Sequence, residues 1–219
     1  MTPDSDAPRT PDDAMELATY IAGKLCHDFI SPSGAIVSGL DLLKDPSAQD
    51  MRDEAMSLIQ ASADKLVALV QFARVAFGAS TTAERFTGAE LEPLAQGVFA
   101  GLRASLDWRI GETEFSKPQA RALLNLAQIA GSALPGGGVA RVETRLEDGE
   151  LVLAAVSEGP RARLKAEAAT GLAGDHLTEG LSGQWVQPFW LWRTVHDARG
   201  RLDVDLGEDR VSLTARMPA

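Results

Sequence analysis

Cysteine is nearly absent from this chain of 219 residues: Cys26 stands alone, which excludes an internal disulfide. Histidine is almost as scarce, with three residues, so Cys and His together cannot supply a zinc site of the usual ligand spacing. Positive charge is in deficit. Lys and Arg number 21 against 31 Asp and Glu, a net charge of −10, and no basic run stands out, which argues against phosphate-dominated binding to nucleic acid. Long apolar runs are missing too. None approaches the roughly 20 residues that a membrane helix needs, and the N-terminus lacks a basic-then-apolar signal segment. These absences predict a soluble cytoplasmic protein in a reducing compartment, with no nucleic-acid and no membrane partner.

What is present is enough apolar residue, 45 %, for a real core, arranged in a way that suggests two small units. Residues 1–11 carry three prolines and two aspartates with almost nothing apolar, a composition that predicts a disordered tail. From about residue 12 to about Lys44 the residues Ala18, Ile21, Leu25, Phe29, Ile36, Leu40 and Leu43 recur at three-or-four spacing, predicting a long helix with one buried stripe. Asp45-Pro46-Ser47 breaks it, and a second helix follows in which Met56, Ile59, Ala63, Leu66, Val70, Ala73 and Phe77 form a seam of coiled-coil type. A two-helix hairpin leaves apolar surface uncovered, and a second copy covers it most simply. The expectation is therefore a homodimer, a four-helix bundle built from residues 12–80 of each copy. The alternative is that the hairpin packs on the C-terminal part of its own chain.

After Gly78-Ala79-Ser80-Thr81-Thr82 the pattern changes. Residues 88–103 and 117–134 read as helices, and Pro135-Gly136-Gly137-Gly138 as a loop. Residues 139–146 and 151–156 read as a strand hairpin, 186–198 as a helix, and 201–206 and 210–217 as closing strands. Helices layered on one face of a mostly antiparallel sheet make residues 85–219 an α/β sandwich, so the whole chain is α+β.

His27 is where chemistry is expected. At about 100° per residue it sits roughly 200° from Leu25 and from Phe29, off the apolar stripe and toward solvent or a visiting partner. Asp28 follows it, and a carboxylate beside an imidazole can fix one ring nitrogen and leave the other as a nucleophile. Pro32 in mid-helix removes a backbone hydrogen bond at a cost of about 3 kcal/mol. It either kinks the helix and helps expose His27, or marks an end at Ile30 and a restart. The small residues Ser33, Gly34, Ala35, Ser38 and Gly39 leave room for another surface to approach, whether a partner protein or a neighbouring helix. Ile30, Ser31, Gly34 and Ser38 share the face of His27 and are the docking candidates. Lys24, one turn earlier, is a candidate for neutralising anionic charge there or a plain solubilising lysine. The Trp185, Phe189, Trp190 and Trp192 cluster reads first as core, and His176 and His196 as structural or surface residues.

The segment His27-Asp28-Phe29-Ile30-Ser31-Pro32 resembles the H-box of bacterial sensor histidine kinases, in which an acidic residue follows the phosphorylated histidine and a proline comes five residues after it. Leu123-Leu124-Asn125-Leu126-Ala127-Gln128-Ile129-Ala130 is similar to their N-box, with Ile129 in place of the asparagine that holds magnesium. An isoleucine offers no oxygen to a hard cation. Val156-Ser157-Glu158-Gly159-Pro160-Arg161 stands where the resemblance puts a glycine-rich box, without its aspartate or its last glycine. The aromatic run 185–192 replaces a second glycine-rich loop.

The chain thus resembles the bacterial histidine phosphotransferases, which keep the kinase fold and phosphoacceptor and have a degenerate ATP-binding domain. The resemblance implies relay between receiver aspartates through His27, with Asp28 orienting it and Lys24, Ile30, Ser31, Gly34 and Ser38 at the interface. It implies no cofactor of the chain's own, the magnesium coming with the bound receiver. It also implies a CckA-like hybrid-kinase receiver as donor, and CtrA-like and CpdR-like response regulators as recipients. An ATP-dependent histidine kinase, and a non-catalytic dimeric adaptor or inhibitor of signalling proteins, are the alternatives.

Overall fold

The apolar spacing of the N-terminal third produces two long helices. A computed structural model describes residues 14–78, 82–111 and 114–219. The expected tail, the first residues of the expected first helix and residues 79–81 of the junction lie outside the described residues. Helix α1 (Ala14–Lys44) runs through Pro32 without interruption, so the alternative of an end at Ile30 does not hold. Asp45 stops it by accepting from the Ser47 amide at 2.8 Å and the Ser47 hydroxyl at 2.7 Å. These bonds, the hydroxyl's first, hold the Asp45 carboxyl below its ordinary value. After a 3-10 turn, α2 (Arg52–Ala76) returns antiparallel to α1. Gly39 sets the closeness of the pair, because a Cβ there would stand 2.6 Å from Ile59 Cγ1 and 3.1 Å from the Ala55 carbonyl. It therefore belongs to the hairpin's own packing, whereas Gly34 faces open space.

The expected buried stripe is only half covered. Ala18 and Leu40 are exposed, and Ile21, Leu25, Phe29, Ile36 and Leu43 are half-buried; the buried positions of α1 are Leu17, Pro32 and Gly39. On α2, Met56 and Val70 of the seam are exposed, and Ile59, Ala63 and Leu66 are half-buried. One partner helix covers one flank of a stripe and leaves the other open. The first turns of α1 pack on α6, and the C-terminal half of α2, from about Ala68 onward, packs on α3 and α4, introduced next.

The second part follows its turn chemistry. Strand β1 (Arg85–Thr87) leads into α3 (Gly88–Phe99), which opens with a capping box between Thr87 and Glu90. The expected helix over 88–103 stops short here. Beyond Gly101 the chain alternates as β2 (Ala104–Arg109), a strand the helical spacing of Val98, Phe99 and Leu102 concealed. Then come β3 (Glu114–Ser116) and α4 (Lys117–Ser132), which has Ser116 and Gln119 as its capping box. Strands β4 (Gly138–Glu147) and β5 (Glu150–Glu158) turn through Asp148 and Gly149, both at positive φ, 52° and 80°. A short α5 (Ala166–Leu172) comes before α6 (Ser182–Asp197), β6 (Arg201–Gly207) and β7 (Arg210–Pro218).

The five-stranded sheet has the order β2-β4-β5-β7-β6, with β2 parallel to β4 and the other pairs antiparallel; β1 and β3 form a separate pair. One sheet face, with Val211, Leu213, Ala215 and Met217 of β7, is buried in a core that also takes Leu123, Leu124 and Leu126 of α4. That core extends to Phe72 and Ala76 of α2, and a second cluster joins Leu17, Tyr20 and Ile21 of α1 to Trp185, Val186 and Phe189 of α6. The opposite sheet face carries ion pairs, among them Arg141 with Asp107 and Arg216 with Glu147. No helix of the described residues is long and apolar enough to cross a membrane.

Candidate functional site

Position on the helix decides what His27 meets. Its side chain is 87 % exposed. Asp28 lies beside it, 25 % exposed, with Oδ1 at 3.3 Å from His27 Nδ1. The other carboxylate oxygen, Oδ2, accepts from Lys24 Nζ at 2.7 Å across one turn of α1. Lys24, Asp28 and His27 thus form a chain in which the carboxylate is held from one side and holds the imidazole on the other. In the tautomer that places the proton on Nδ1, toward Asp28, the Nε2 lone pair is left free.

The structure gives Lys24 a different place from the expected one. Its side chain is only 12 % exposed and its ammonium is committed to Asp28 rather than extended toward a visiting anion. Ile30, Ser31, Gly34 and Ser38 are all exposed, Ile30 at 69 %, and continue the His27 face along α1. Pro32 is buried on the far side of that face. Ser33, whose hydroxyl donates to the Phe29 carbonyl at 2.8 Å, follows it.

Next to His27 lies a cavity of about 620 Å³ between the hairpin and the sandwich. Its α1 wall includes Tyr20, Lys24, His27 and Asp28; α4 contributes Gln128 and Ile129, and the facing wall Arg163, Lys165 and Gln187. Sequence reasoning missed this facing wall. The alternation of Arg161, Arg163 and Lys165 ahead of α5 was the signal available for it.

Several residues of the segments likened above to nucleotide motifs pack against protein, although Ile129 and Gln187 also line the cavity. Ile129 is 5 % exposed. Asn125 is fully buried and gives both amide hydrogens to carbonyls, of Ala76 at 2.9 Å and Arg121 at 2.8 Å, while its oxygen accepts from Gln187 Nε2 at 3.0 Å. The glycines of the 135–138 loop serve a close backbone approach: a Cβ on Gly138 would stand 2.4 Å from the Glu158 carbonyl, and one on Gly136 2.6 Å from that of Pro160. Arg161 sits at φ 62° with its amide bound to Asp209 Oδ1 at 2.6 Å. In α6, Trp185 and Phe189 stack with centroids 4.6 Å apart, each 2 % exposed, and Tyr20 meets Trp185 edge-on at 5.7 Å. Trp185 and Phe189 are core, as expected, while Trp190 and Trp192 are half-buried at its edge. His196 is exposed and stacks on Trp192 at 5.0 Å; His176 is half-buried.

Residues 88–210, from the start of α3 into β7, match the family model of the histidine phosphotransferase C-terminal domain. The chain belongs to this family. It is 27 % identical over 203 residues to the protein phosphotransferase ChpT of Brucella abortus (strain 2308), covering 92 % of this chain and 96 % of that protein. A solved bacterial phosphotransferase superposes with a TM-score of 0.82 at 26 % identity, over 92 % of this chain and 96 % of the other. The family match covers the sandwich, while the relative and the solved structure also extend over the hairpin that carries His27.

Proposed function

We propose that this chain is a histidine phosphotransferase of a two-component phosphorelay, taking a phosphoryl group from the aspartate of one receiver domain onto His27 and passing it to the aspartate of another. The observation that carries this is the exposed imidazole whose Nδ1 is held by Asp28 and whose Nε2 is open. In the first half-reaction the Nε2 lone pair forms the P–N bond as the acyl phosphate P–O bond breaks, returning the receiver's carboxylate. The positive charge left on the ring is shared through Nδ1–H with Asp28. The second half-reaction runs these changes backward onto another carboxylate. Phosphoryl transfer has a loose transition state, so alignment and charge neutralisation do most of the work. Magnesium for both steps comes with the receiver's acidic pocket.

The receiver docks on the face of α1 made by Ile30, Ser31, Gly34 and Ser38, and the sandwich wall across the cavity supplies a second surface. A CckA-like hybrid-kinase receiver as donor and CtrA-like and CpdR-like regulators as recipients fit this role. Two copies associate through the open flank of the hairpin. Val37 and Leu40 on α1 and Met56, Val67 and Val70 on α2 are 56, 42, 53, 53 and 40 % exposed, more apolar surface than one bundle face leaves to water without a partner.

The test compares two phosphoryl sources. Incubation with a phosphorylated receiver and magnesium should label the chain, and incubation with labelled ATP and magnesium alone should not. Self-labelling by ATP would make the chain a kinase, and labelling from neither source would make it an adaptor.

A further inference from the structure

The last four carbonyls of a helix have no partner within it. At the end of α2 the backbone amides of Phe77 and Gly78 reach Ala73 and Val75, and the Ala76 carbonyl is taken by two side chains from elsewhere. Asn125 Nδ2 of α4 donates to it at 2.9 Å, and Trp190 Nε1 of α6 donates to it at 2.9 Å. Gln187 of α6, 6 % exposed, closes the network by donating to Asn125 Oδ1 and Gln128 Oε1. The ring of Trp190 lies 6.3 Å from that of Phe77. One carbonyl at the foot of the hairpin is therefore fixed to two helices of the sandwich, in a buried setting where a fully satisfied network selects one geometry.

Helix α6 makes the opposite attachment as well. Trp185 and Phe189 pack on Leu17, Tyr20 and Ile21 of α1, so the same helix grips both helices of the hairpin. Between these grips α6 presents Gln184, Gln187 and Pro188 to the cavity that His27 and Asp28 line from the other side. The distance from His27 to the facing wall is thus set by α6 and its polar anchor.

We infer that Asn125, Gln187 and Trp190 are positioning residues: they latch the sandwich to the hairpin, so that His27 and the wall across the cavity form one preformed cradle for the incoming receiver. This rests on the phosphotransfer reading of His27. A chain whose sandwich hangs loosely is docking-competent for only part of the time, and its apparent affinity falls by that fraction. Loosening that leaves about one molecule in five competent raises KM for the receiver about fivefold. It leaves the rate at saturating receiver nearly unchanged, because binding restores the cradle.

The test uses the full chain with Cys26→Ser and dyes on Asp53→Cys of α2 and Asp205→Cys of β6, diluted into unlabelled chain so that one labelled copy is watched. Single-molecule energy transfer reports the width of the hairpin-to-sandwich distance. Single-turnover transfer from a phosphorylated receiver reports KM and the limiting rate. Asn125→Ala with Trp190→Phe should broaden the distance distribution and raise KM about fivefold, with the limiting rate within about twofold. Trp190→Phe alone, which keeps the ring and loses only its N–H, should do both to a smaller extent, and it reads the latch should the double variant fail to fold. A distribution as narrow as the parent's overturns the latch. Broadening without a change in KM, or a fall in limiting rate at constant KM, overturns its role in docking. A parent chain that takes up no phosphoryl group overturns the relay reading, and this proposal with it, whatever the distances show.

Discussion

Removing Asp28 separates two roles for Lys24. Asp28 Oδ1 stands 3.3 Å from His27 Nδ1, and Oδ2 stands 2.7 Å from Lys24 Nζ. A hydrogen bond to a charged group contributes about 1.5–3 kcal/mol when well formed. This one is long and the imidazole is 87 % exposed, so solvent reduces it to about 1 kcal/mol. As the ring gains positive charge during transfer, Asp28→Ala should slow phosphoryl uptake about fivefold. Lys24→Ala removes only the second anchor of the carboxylate and should cost about twofold. The structure further requires that the two be non-additive: in the Asp28→Ala background, Lys24→Ala should have no effect, because the carboxylate it anchors is gone. Rapid-quench measurement of transfer from a phosphorylated receiver for the four chains of the cycle gives the answer. If Lys24→Ala slows transfer equally in both backgrounds, Lys24 acts on the phosphoryl group directly and the Lys24–Asp28–His27 chain is not the operative arrangement.

Gly39→Ala should destabilise the chain by about 1–3 kcal/mol in urea unfolding, because the new Cβ meets Ile59 Cγ1 at 2.6 Å and the Ala55 carbonyl at 3.1 Å; an unchanged midpoint would mean the helices are not this close. Val37→Asp with Val70→Asp places charges on the exposed apolar flank; under the proposed association, sedimentation velocity should show a dimer for the parent and a monomer of unchanged helix content for the variant, and a parent that sediments as a monomer would refute it. The Thr87 amide first, and then its hydroxyl, hold the Glu90 carboxyl below its ordinary 4.5. A group depressed on folding stabilises above its ordinary value, and that contribution is lost as the pH falls through the lowered one. Glu90→Gln keeps an acceptor in the capping box without titrating, so its unfolding midpoint should fall less steeply than the parent's below about pH 4.5, and equal slopes would remove Glu90 from the acid response.

Much of this molecule was legible where local rules decide. The two long helices followed from apolar spacing, the break from Asp45 and Ser47, and the β4–β5 hairpin from Asp148-Gly149. The exposure of His27 followed from its angle to Leu25 and Phe29. What was not legible depended on partners distant in sequence. Strand β2 is short and is held by pairing with β4, which lies distant in sequence. The stripe of α1 was expected to be buried, yet a single chain covers only one of its flanks. Asn125 lies in the segment that resembles the N-box, a likeness that says nothing of its burial or of its bond to Ala76, which make it part of the joint between hairpin and sandwich. For Lys24 the sequence offers a charge-neutralising or a solubilising role, and its i, i+4 relation to Asp28 adds the ion pair that the structure shows.

The most direct measurement follows labelled phosphoryl from one phosphorylated receiver to a second, with the wild-type chain and with His27→Ala side by side. The account predicts that wild type carries the label and completes the transfer, while His27→Ala stays folded and associated but stops the relay. Transfer at the same rate through His27→Ala would contradict it.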